Sequence, residues 1–108
     1  SRLPVDCRAE FVAHGGSPAI KLPLAGKHLS AARRALAEEW SSDPLLVGSG
    51  GSIPVAGDFQ RILGLDSLMI GFALEDDRIH SPNEKFDLDC FENGQRMSAF
   101  LWQELSCV

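Results

Sequence analysis

His80 lies in a polar stretch, Asp76-Asp77-Arg78-Ile79-His80-Ser81-Pro82-Asn83-Glu84-Lys85, that follows the apolar run Leu68-Met69-Ile70-Gly71-Phe72-Ala73. An imidazole just beyond a buried strand is well placed to ligate a metal ion. The ordinary reading of such a residue is a solvated loop histidine, and both readings stay open on the residues alone. Glu75, Asp76 and Asp77 read as a solvated acidic turn, and His14 and His28 as surface histidines. The chain contains no HxxxH or HExxH spacing, so no metal site assembles from local sequence.

The second stretch with chemical potential is Gly48-Ser49-Gly50-Gly51-Ser52-Ile53-Pro54, which opens a helix. Backbone N–H groups and the positive end of a helix dipole suit an anion, and glycines let that anion approach the backbone. A plain turn is the competing reading. Two familiar loops are excluded. A phosphate-binding loop needs Lys after its last glycine. A nucleophile elbow around Ser52 needs glycine where Pro54 stands.

These stretches must be held by a small framework. The 108 residues fit one small domain, with 44% hydrophobic and 23% charged residues and a formal net charge of -5. An acidic chain without a basic run argues against nucleic acid and anionic membrane surfaces as partners. No apolar run is long enough to span a bilayer, and the first residues lack the apolar core of a signal peptide. Cys7, Cys90 and Cys107 are odd in number and widely spaced, with no CxxC pair. They read as free thiols in a reducing compartment, which gives a cytoplasmic expectation. Nothing near them in sequence lowers a thiol pKa.

The alternation of Cys7, Ala9, Phe11 and Ala13 predicts a half-buried strand, broken by His14-Gly15-Gly16-Ser17-Pro18. Residues 20–24 read as extended, with Pro23 keeping them from a central ladder position. Leu29, Ala32, Leu36 and Trp40 recur at helical spacing and predict a helix over residues 27–40. Leu45-Leu46-Val47 predicts a short strand. A helix starts near Pro54, with Ser52 as a possible cap, Val55, Phe59, Ile62 and Leu63 as its buried stripe, and Gly64 as its stop. Residues 68–73 predict a central strand covered on both faces. Asp89-Cys90-Phe91-Glu92 has capping-box spacing, with Leu88 at the staple position, for a helix running to about Leu105. The resulting fold class is α/β: a parallel-type β-α-β-α unit with helices flanking the sheet, preceded by one separate strand. Both candidate loops follow strands, at the carboxyl edge where open α/β sheets bind ligands.

Gly50-Gly51-Ser52-Ile53-Pro54-Val55, Gly71-Phe72, Asp76-Asp77 and His80-Ser81-Pro82-Asn83-Glu84-Lys85, in this order, resemble the C-terminal part of the M20 zinc metallopeptidases. That group includes carboxypeptidases, aminoacylases and carnosinase-like dipeptidases. The resemblance runs over about residues 5–105, and His14-Gly15-Gly16-Ser17-Pro18 with the following helix is most similar to the dipeptidase branch. It implies a zinc-binding α/β catalytic domain and an inserted lid that commonly mediates dimerisation. Residues 1–18 would then be the end of the lid and residues 19–108 the C-terminal part of the catalytic domain. In the family, two zinc ions share a bridging carboxylate and a water, which a glutamate activates to attack an amide carbonyl. On this resemblance His80 matches the last zinc ligand, and Gly50, Gly51 and Ser52 match the backbone that receives the carboxylate of a small peptide or N-acyl amino acid. Glu84 and Asn83 would order the His80 loop.

Two departures qualify the match. Many relatives carry arginine two residues before the glycine pair, where this chain has Gly48. The chain also has no His-x-Asp pair, and its Glu38-Glu39 lies on a helix face that matches no family motif. With His80 as the sole matched ligand, tight zinc binding is not expected. The expectation is a fragment of a zinc-dependent amidohydrolase, inactive in isolation. Because sheet edges left open invite pairing with another copy, it is expected to be a homo-oligomer. The alternative is a non-catalytic anion-binding or self-association domain on the same fold.

Overall fold

Two helices separated by nearly fifty residues pack directly on each other and organise the chain. The computed structural model describes residues 4–50 and 53–108. Helix α1 spans Lys27–Trp40, α2 spans Pro54–Asp58 and continues into a wider π turn over Phe59–Leu63, and α3 spans Leu88–Leu105. A single 3-10 turn, Glu75–Asp77, lies between α2 and α3.

The α1–α3 contact is built from small residues. Ala31, Ala32 and Ala35 are buried on α1, and Cys90, Gly94 and Met97 on α3. Their spacing of three and four places each set on one helix face. Two ion pairs flank the contact: Arg34 with Glu104 at 2.6 Å and Arg96 with Glu39 at 2.7 Å. Moving along α1 from Arg34 to Glu39 moves backwards along α3 from Glu104 to Arg96, so the helices run antiparallel. The Glu39 side chain is largely buried, and the hydrogen bond it accepts raises the Arg96 pKa, keeping the guanidinium charged.

Phe72 attaches the intervening chain to this pair. Its ring stacks on Trp40, the last residue of α1, with centroids 5.5 Å apart. It also fills the space above Gly94, where an added Cβ would lie 2.6 Å from the ring. Glycine at this helical position is a close-approach requirement, despite its poor helix propensity.

The α/β expectation is overturned: the described residues form three helices and no strand. Residues 7–13, 20–24, 45–47 and 68–73 are not paired into a ladder. Period-2 patterning and apolar runs select residues that suit a strand, but a strand also needs a partner edge to take its N–H and C=O groups. None of these segments is such a partner for another here. The stripe expected on the second helix is also corrected. Val55, Phe59, Ile62 and Leu63 are exposed, and Ala56 is the buried residue of α2. Helix α3 begins at Leu88, with Asp87 as its N-cap accepting from the Asp89 N–H at 3.1 Å, so the cap lies two residues before Asp89. The helix over residues 27–40, the start at Pro54 and the left-handed stop at Gly64 agree with the sequence reading.

The core is correspondingly thin. Among the described residues its buried apolar side chains are four alanines, Cys90 and Met97, whereas Trp102, Leu45 and Val47 are each more than 70% exposed. The radius of gyration is 18.7 Å, against about 13 Å for a closed domain of this length.

Gly94→Ala is expected to destabilise the helix pair. Overpacking against the Phe72 ring costs about 1–3 kcal/mol, against a gain of about 1 kcal/mol in helix propensity. A lowered urea midpoint, partly recovered when Phe72→Leu is added, is the expected result. A raised midpoint for Gly94→Ala alone would show that the ring is not held there.

Candidate functional site

The polar loop after residues 68–73 is closed twice. Phe72 before it and Phe86 after it bring their rings to 6.4 Å. Inside that aromatic closure lies an ionic one, centred on Asp77.

Asp77 makes four hydrogen bonds. Its N–H donates to the Leu74 carbonyl at 3.2 Å, and its Oδ2 accepts from the Leu74 N–H at 2.8 Å. Its carbonyl accepts from the Lys85 N–H at 3.0 Å, and its Oδ1 accepts from Lys85 Nζ at 2.8 Å. Lys85 Nζ also donates to Asp76 Oδ1 at 3.2 Å. Asp77 is 1% exposed, although an acidic trio reads as a solvated turn. Sequence reasoning missed this residue. The available signal was Lys85, eight residues on, with turn-forming Ser81, Pro82 and Asn83 between the two charges.

Between Asp77 and Lys85 the chain turns tightly. Arg78, His80 and Asn83 have φ of 53°, 63° and 61°, the left-handed region that L residues seldom occupy. The Arg78 carbonyl accepts from the Ser81 N–H at 2.9 Å and from Ser81 Oγ. The Ser81 carbonyl accepts from the Glu84 N–H at 3.2 Å. Glu84 Oε2 accepts from the His80 N–H at 3.2 Å, so Glu84 does order the His80 loop. His80 itself is exposed, and its N–H is held by Glu84.

Of the other candidate residues, Gly50 is described: it is exposed, and a Cβ added there would meet nothing within 4 Å. Gly51 and Ser52, and with Ser52 the expected helix cap, lie outside the described residues. Cys90 is buried beneath the loop's end. Burial pushes its thiol pKa up, with Asp87 and Asp77 adding to the effect, which keeps the sulfur protonated and poorly nucleophilic.

The donor set around His80 is too small for the expected zinc site. Among the described residues no three His, Cys, Asp or Glu side chains converge on one point. Of the acids in the loop, Asp77 is committed to Lys85 and Glu84 to the His80 backbone. These residues supply one imidazole and do not by themselves make a zinc centre.

The comparisons bear out the family resemblance. The model of peptidase family M20/M25/M40 matches residues 5–104, and the chain belongs to that family. Among its relatives, the Cys-Gly metallodipeptidase of Saccharomyces cerevisiae is 34% identical over 99 residues, covering 91% of this chain and 20% of that protein. The Candida albicans Cys-Gly metallodipeptidase is 38% identical over 91 residues, 84% of this chain and 18% of that protein. The beta-Ala-His dipeptidase of Rattus norvegicus is 35% identical over 81 residues, 75% of this chain and 16% of that protein. The chain therefore spans about a fifth of the length of the curated relatives it matches. No solved structure matches it.

The ion pair gives the loop a defined pH range. The hydrogen bond from Lys85 and then that from the Leu74 N–H hold the Asp77 carboxyl below its ordinary value, against the opposing effect of burial. Such a group adds stability that is complete above the ordinary carboxylate pKa of about 3.9 and lost as pH falls through the lowered value. Lys85 is raised, first by its hydrogen bond to Asp77. Its contribution is complete below about pH 10.4 and lost as pH rises through the raised value. The loop is expected to hold across the whole interval between. A carbon-detected titration is expected to show the Asp77 carboxyl changing state below the ordinary carboxylate range. A midpoint at or above that range would contradict the pairing.

Proposed function

We propose that these residues are the C-terminal part of a zinc-dependent dipeptidase, in which His80 is a zinc ligand and Gly50, Gly51 and Ser52 receive the substrate's carboxylate. The family match over residues 5–104 carries this reading. The relatives named for dipeptide hydrolysis give the substrate class, a small peptide. The loop supports it physically: an imidazole on a turn closed by two Asp77–Lys85 hydrogen bonds is a better ligand than one on a free loop, because little ordering remains to be done on binding. Zinc would supply Lewis acidity and an activated water. The chain's own residues hold His80 exposed and offer the Gly50 backbone without side-chain obstruction.

On this reading the 108 residues alone are inactive, since one imidazole does not complete a zinc shell. The free thiols fit a cytoplasmic setting. A homo-oligomer is favoured by the exposed apolar side chains, including Trp102, Leu45, Leu46 and Val47.

The test is hydrolysis of dipeptides by the intact protein with and without zinc. Zinc-dependent turnover that His80→Ala abolishes, with the melting temperature unchanged, is the expected outcome. Undiminished turnover in His80→Ala removes His80 from the site. Zinc-independent turnover removes the metallopeptidase reading altogether.

A further inference from the structure

The His80 loop contains a buried charged group that the proposed chemistry does not use. Asp77 touches neither the imidazole nor the glycine loop in any hydrogen bond described above, yet it is the most deeply buried polar side chain among the described residues. Its two links to Lys85, one through the backbone and one through the side chains, join the same two residues in parallel. The residues between them include three left-handed, non-glycine positions, one of them His80. Such backbone is disfavoured and persists where the surroundings over-determine it. Glu84 holds the His80 N–H from inside the loop, and Glu84 directly precedes Lys85 in the chain, its own N–H donated to the Ser81 carbonyl.

We propose that Asp77 is the positioning residue for His80: its paired links to Lys85 fix the left-handed turns and present the imidazole before any ligand arrives. The functional importance of that presentation rests on the reading of His80 as a metal-binding side chain; the positioning itself does not. The chain is expected to hold this geometry free of metal. Asp77 acts at a distance, through Lys85 and Glu84, so its effect is on the orientation of His80 and not on bond making.

Loop geometry can be read directly in the intact, metal-free protein. The amide-to-Hα couplings of Arg78, His80 and Asn83 report φ, and amide exchange at Lys85 reports the closure. In Asp77→Ala and Lys85→Met the couplings are expected to lose their left-handed values. Lys85 exchange should become at least about tenfold faster, as for a local opening. Met97 in the helix pair should keep its protection. Lys85→Arg, which retains the charge, is expected to restore the couplings. Where Asp77→Ala does not fold, Lys85→Met decides, because the Lys85 side chain is 41% exposed and its loss leaves no cavity in the helix pair. Parent-like couplings and exchange in the folded variants overturn the proposal. The outcome is separable from the proposed activity. A loop that opens in these variants of a protein with no dipeptidase activity leaves the positioning intact and defeats the hydrolase reading. An active protein whose loop is indifferent to Asp77 does the reverse.

Discussion

The contact between α1 and α3 is the constraint on which the other located parts depend. It joins elements distant in sequence through alanine and glycine, whose small side chains let the helices and the Phe72 ring approach closely. The Arg34–Glu104 and Glu39–Arg96 pairs fix its direction. Phe72 is then placed by Trp40 at the end of one helix and Gly94 on the other. Since the His80 loop begins just after Phe72 and ends at Phe86, directly before α3, both of its ends are tied to the same helix pair.

Within those ends the loop is a nested closure. The aromatic pair closes the longer segment and the Asp77–Lys85 pair the shorter one, so the inner link forms with most of the loop entropy already removed. Burial makes the charge pairing decisive. A carboxylate at a solvated turn would contribute little, whereas Asp77, shielded from water, must be matched at each oxygen, and it is. One buried acid thus converts an unfavourable run of left-handed residues into a fixed platform.

The helices, a start at Pro54 and a stop at Gly64 were legible because their determinants are local. Spacing of three and four, Pro54 at a helix start and Gly64 at a stop act over a few residues. The strands were not, because a ladder is a property of two segments and the sequence pattern names only one at a time. The burial of Phe59 and Ile62 failed for a related reason: an amphipathic stripe marks a face that can be covered, not what covers it. At the candidate site, the exposed position of His80 in a polar turn was legible from the residues around it. Asp77 was hidden because its burial is a tertiary property and its charge partner lies eight residues away.

These two kinds of determinant also explain why a chain with so thin a core can carry a well-defined loop. The exposed apolar side chains of 45–47 and of the second helix have no local contacts that fix them, so their arrangement depends on long-range packing. The loop's contacts lie almost entirely between residues 72 and 86, and short-range contacts form without long chain closures. Its geometry is therefore insulated from the state of the apolar faces. On the proposed reading of His80 this separation is useful, because a turn that is already rigid requires only that its partners be brought to it.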